Sequence, residues 1–148
     1  EKTTDNTRQL LSRAKNKIKN VNLSPISTEA QSESQKKAQQ FAQYIQQGNL
    51  EELIDLMKED IYVYSDGGGK VTAAMVPIMG AKKVASFYLN LFKNIPEDIQ
   101  VEFTTILGQP AILLSQNSQV WSTLIFTLEN GKIKTLYSVL NPDKLTHL

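Results

Sequence analysis

The 148-residue sequence contains no cysteine. That absence excludes a disulfide framework and thiolate metal sites together, and it fits a reducing compartment. Histidine occurs once, at His147, where a surface side chain is the expected role. With one histidine and no G-x-S-x-G, neither a nucleophilic triad nor a zinc site can be assembled from the usual parts. No apolar run approaches the roughly 18 residues of a membrane-spanning helix, and no charged-then-apolar leader opens the chain. The expectation is therefore a cytoplasmic protein with no membrane partner, no metal and no cofactor. The chain opens on Glu1, which reads as a piece of something longer.

Net charge is scarce too, at +1, but the balance is uneven. Residues 1–20 carry six basic and two acidic side chains, whereas the other 128 carry ten and thirteen. A basic segment on a mildly acidic body is a nucleic-acid signal of modest strength. Within it, Leu10, Leu11, Ala14 and Ile18 recur at helical spacing, with bases on the remaining faces.

Residues 20–32 are polar and serine-rich around Pro25 and read as a linker. Beyond them, Ser32 or Ser34 is placed to cap a helix whose stripe is Ala38, Phe41, Ala42 and Ile45, ended by Gly48–Asn49. A second helix is expected to turn Leu50, Leu53, Ile54 and Met57 inward. "IYVYS" alternates as a strand, and a third helix follows with Val84, Phe87, Tyr88, Leu91 and Phe92 buried. Four β-rich runs complete the chain, the last two joined by Asn130–Gly131, a strong hairpin signal. This order predicts an α+β domain over residues 33–148, a cone of curved antiparallel sheet wrapped around three helices.

"YSDGGGK", residues 64–70, puts three consecutive glycines after an expected strand. A phosphate loop would need glycine at Tyr64 and Ser or Thr at Val71, so it fails. A calcium loop fails because Gly68 and Lys70 fall where oxygen ligands belong, and a dinucleotide fingerprint lacks its spacing. Asp66 remains a candidate general base in a cone-shaped pocket lined by Tyr62 or Tyr64, Tyr88 and Trp121. The plainer reading is that these aromatics are core and Asp66 holds a turn.

The residues also carry a resemblance. "DNTRQLLSRAKNKIK" resembles the end of region 4 of extracytoplasmic-function sigma factors, whose recognition helix follows N-x-R-Q-x-L-x-R-A. "SDGGGKV" at 65–71 and "NPDKLTHL" at 141–148 are similar to two signatures of one group of these factors, which carry a SnoaL-like domain after region 4. The resemblance implies a recognition-helix remnant at 1–19, with Asn6, Arg8, Gln9 and Arg13 as DNA-binding candidates. It implies a domain of the ketosteroid isomerase-like fold at 33–148. It further implies RNA polymerase core and promoter DNA as partners of the full-length protein, and regulation in cis through the protein's own sigma regions. On physical grounds, Asp66, Gly67, Gly68, Gly69 and Lys70 form a tight loop with few side chains, and Asn141, Pro142, Asp143, Lys144 and Leu145 a turn. Together they make a docking surface if the last strand lies beside the first. The other readings are a small-molecule-binding or isomerase/cyclase-type domain, with an unidentified ligand and Asp66 as base, or a dimerisation module.

Overall fold

A computed structural model of the chain describes residues 28–146 and Leu148. The expected recognition helix at 1–19, its DNA-binding candidates, residues 20–27 of the linker, and His147 lie outside the described residues.

Helix α1, Thr28–Gln47, starts earlier than Ser32 or Ser34, so residues 28–32 belong to the helix and not to a linker. Ala38, Phe41 and Ile45 are its buried stripe. It stops at Gly48, whose φ of 69° is left-handed. Gly48 N–H donates to the Ile45 carbonyl at 3.0 Å and Asn49 N–H to that of Tyr44 at 2.9 Å, which satisfies carbonyls the helix would otherwise orphan. Asn49 then caps helix α2, Leu50–Asp55, by accepting from the Glu52 amide. Met57, expected on that helix, is instead the buried first residue of strand β1, Met57–Asp66.

Strand β2 is two residues, Ile78–Met79, and helix α3 spans Ala81–Phe92. Strands β3 (Gln100–Ile106), β4 (Gln109–Gln116), β5 (Gln119–Glu129) and β6 (Lys132–Val139) follow, and a short helix α4, Pro142–Leu145, closes the domain. The three hairpins among β3–β6 all use two-residue turns: Leu107–Gly108, Asn117–Ser118 and Asn130–Gly131. Both residues of every turn have φ > 0, the type I′ geometry that matches the twist of the flanking strands.

The sheet order is β2-β1-β6-β5-β4-β3. It is mixed rather than all antiparallel, because β1 and β6 pair in parallel, from Tyr62↔Thr135 to Asp66↔Val139. That pairing has a direct consequence: both strands finish at the same end of the sheet, so the segments after Asp66 and after Val139 emerge side by side. One face of the sheet packs on α1–α3. Phe41 of α1 meets Tyr88 of α3 and Phe126 of β5 edge-on, each at 5.2 Å between ring centres, and ties the layers together. Among the described helices none is long and apolar enough to cross a membrane.

Candidate functional site

Asp66 ends β1, and its Oδ1 accepts the Gly68 N–H at 2.9 Å, which folds the chain over at once. Lys70 and Val71 donate their amides back to the Gly67 carbonyl at 3.0 and 3.2 Å. Across the gap, Asn141 caps α4 by accepting the Asp143 amide at 3.1 Å, with Pro142 at the first helical position, where its missing N–H costs nothing. Leu145 is buried beneath this turn. The Leu140 amide donates to the Asp66 carbonyl at 2.8 Å, so the parallel ladder runs into the two loops.

Two crossed ion pairs close the arrangement. Lys70 Nζ lies 2.7 Å from both carboxylate oxygens of Asp143, and Lys144 Nζ lies 2.7 Å from Asp66 Oδ2. The Lys144 ammonium first, and then the Gly68 amide, hold the Asp66 carboxyl below its ordinary range. The three glycines are explained one by one. A Cβ on Gly67 would sit 2.3 Å from the Val71 carbonyl oxygen. On Gly68, with φ of 61°, it would sit 2.4 Å from the Asn141 side chain. Gly69 also has a left-handed φ, of 70°, but faces open space.

The ten residues anticipated for the two loops therefore adjoin, in three roles. Gly67, Asn141 and Leu145 are buried and hold the loops in place. Asp66 is half-exposed. Gly68, Gly69, Lys70, Pro142, Asp143 and Lys144 present the outer surface.

The expected pocket set separates. Tyr64 is 44% exposed on the outer face of the sheet, stacked between Tyr62 and Tyr137, because alternation along β1 turns Ile61 and Val63 inward instead. Tyr88 and Trp121 do line a common cavity of about 330 Å³ on the helix side, and Asp66 does not. Asp66 is thus a paired rim carboxylate rather than a buried base.

No family model matches the chain, and neither does any curated protein. Solved structures do. The extracytoplasmic function sigma factor SigJ of Mycobacterium tuberculosis matches over 94% of this chain with a TM-score of 0.63 and 21% identity; the chain spans half the length of that protein. NTF2-like proteins of unknown function from Burkholderia xenovorans and Pseudomonas putida match over 74% and 76% of this chain and 84% and 87% of their own, with TM-scores of 0.52 and 0.51 at 13% identity. The chain has the NTF2-like fold.

Within the NTF2-like cone the cavity was not legible residue by residue. Ser65, Thr72, Ser122, Ser138 and Leu140 line it beside Tyr88 and Trp121 and were not anticipated. Ser122 and Ser138 left a faint signal, as inward-facing hydroxyls in otherwise apolar strands, and both are buried. The cavity also abuts the loops: Ser65 precedes Asp66, Thr72 follows Val71, and Leu140 precedes Asn141.

Proposed function

We propose that this chain is the C-terminal regulatory part of an extracytoplasmic-function sigma factor, in which the NTF2-like domain modulates sigma activity in cis. The surface formed by Lys70, Asp143, Lys144 and the exposed glycines docks on sigma regions or on RNA polymerase. The observation that carries this reading is the crossed pairing of Lys70 with Asp143 and Lys144 with Asp66. It joins the two sequence signatures shared with that group into one surface, in which the charged side chains of Lys70, Asp143 and Lys144 flank the bare backbone of Gly68 and Gly69. The recognition-helix pattern at 6–14 and the match to a sigma factor over 94% of the chain support the same reading.

The isomerase or cyclase alternative needs Asp66 as a base. A general base working near neutral pH wants a carboxyl raised by a water-poor site. Asp66 is held low by a lysine and an amide and stands outside the cavity, which favours docking.

The test is promoter-driven transcription by the full-length protein carrying Lys70→Ala or Lys144→Ala, alongside thermal melts of each variant. Both surface variants are expected to fold and to change transcription. Unchanged transcription from both folded variants rules the docking reading out, and turnover of a cyclisable ketone that is lost in Asp66→Asn restores the enzyme.

A further inference from the structure

The cavity between α3 and the sheet contains no charged side chain. Its wall is mostly Phe, Leu, Ile and Ala, and its volume of about 330 Å³ stands at the small end of the roughly 300–1,000 Å³ usual for ligand pockets. Two of its residues carry buried hydrogen-bonding atoms, Tyr88 Oη and Trp121 Nε1, that find no partner among the described residues. Tyr88 is 1% exposed. Its ring is fixed edge-on between Phe41 and Phe87, and its hydroxyl is turned toward Ser138, another cavity residue, without reaching ordinary hydrogen-bond geometry.

Buried polar groups are nearly always satisfied, so two orphans in the wall of one cavity call for a partner that enters it. An indole N–H can only donate, and a phenol donates readily. The complement is a hydrogen-bond acceptor. A charged ligand would lose its hydration with no counter-ion in reach, which excludes carboxylates, phosphates and ammonium groups.

We infer that this cavity binds a small, uncharged, largely apolar molecule bearing an acceptor oxygen such as a carbonyl, which takes hydrogen bonds from Tyr88 and Trp121. No histidine or carboxylate lines the cavity, so the site binds its ligand without acid–base chemistry. The inference is independent of the docking reading.

Trp121 is the only tryptophan in the chain, so its indole N–H gives one unmistakable proton resonance. The experiment titrates the 148-residue chain with cyclohexyl methyl ketone and 2-decalone, and with cyclohexanecarboxylate as a charged shape-match of the first. Both ketones are expected to move the Trp121 indole resonance downfield saturably, and the carboxylate to leave it in place. Tyr88→Phe, which keeps the ring and its packing, is expected to weaken ketone binding roughly two- to tenfold, the usual effect of one neutral hydrogen bond. Ala74→Phe, on the loop that roofs the cavity, is expected to abolish it in a protein with an otherwise unchanged spectrum. The proposal is overturned if neither ketone gives a saturable shift, if the carboxylate binds as well as the ketone, or if ketone affinity is unchanged in Tyr88→Phe.

Discussion

Gly68 and Gly69 share nearly the same backbone angle and differ in what lies beside them. An alanine at either pays the left-handed penalty of about 1–2 kcal/mol. Only at Gly68 does the new methyl also strike Asn141, which caps α4 and is itself buried. Gly68→Ala is therefore expected to destabilise more than Gly69→Ala, and to lower the melting temperature further. Equal losses would mean that the Asn141 contact yields freely. Tyr88 makes a second prediction at this scale. Tyr-to-Phe changes in a core usually cost stability because a hydrogen bond is lost, but the Tyr88 hydroxyl is buried without a partner. Tyr88→Phe is expected to leave stability unchanged or to raise it by up to about 1 kcal/mol in denaturant unfolding. A clear loss would show that the hydroxyl is satisfied. The roles of Asp66 and the glycines were only half legible in the sequence. The turn chemistry of Asp-Gly-Gly-Gly is local, whereas the contacts that fix Gly67 and Gly68 come from a carbonyl four residues on and a side chain 73 positions away.

The hairpins show which parts of an element can be read directly. Asn130–Gly131 announced its turn because both residues enter left-handed space easily. Leu107–Gly108 makes the same turn without that signal: Leu107 sits at φ of 52° and is 96% exposed. Its side chain gains nothing there, and a leucine is strained at such an angle. Leu107→Asn recreates the favoured pair and is expected to stabilise the domain by roughly 0.5–1 kcal/mol, seen as a rise of about 2–4 °C in melting temperature. No rise would mean that Leu107 is not strained there. Helices α1–α3 were legible from their apolar spacing, but residues 28–32, linker by composition, belong to α1, Met57 belongs to β1, Leu91 is exposed, and α4 was read as a turn. The parallel β1–β6 pairing was not legible. Strand alternation says which face is buried but is blind to which strand lies next door and in what direction, since those depend on the whole sheet.

At the scale of the molecule, four ion pairs form among the described residues, and all lie at the surface: Lys58–Glu129, Lys134–Asp60, Lys70–Asp143 and Lys144–Asp66. In each of Asp60, Asp66 and Glu129 a lysine hydrogen bond is the main cause of a carboxyl held below its ordinary value of 3.8 or 4.5. Their contribution is complete above those values and is lost as pH falls through the lower folded-state ones. Lys58 is raised above 10.5, mainly by Glu129, so its contribution is present below that value and lost as pH climbs through the folded one. Stability is therefore expected to be flat between about pH 5 and pH 10 and to fall at both ends. Half-molar salt should flatten the acid limb, because exposed pairs are screened, whereas the alkaline limb also carries the Tyr88 phenol, which burial holds above its ordinary range. An acid limb indifferent to salt would assign acid unfolding to other groups.

The last of the described strands, β6, occupies an interior place in the sheet, between β1 and β5. During translation β1, ending at Asp66, is complete 73 residues before its principal partner, which ends at Val139, and until then its neighbour is the two-residue β2. At the usual 5–20 residues per second, that open edge persists for several seconds. The NTF2-like cone is therefore a late-closing fold, whose central pairing joins strands far apart in the sequence. Asp143 and Lys144 lie beyond that strand, so their pairs with Lys70 and Asp66 form only once β6 has been inserted. A chain stopped short of residue 140 lacks α4 and with it half of the paired surface, however complete its helices are. The paired surface thus reports that the domain has been finished, and an interaction built on it selects mature protein over nascent or truncated chains.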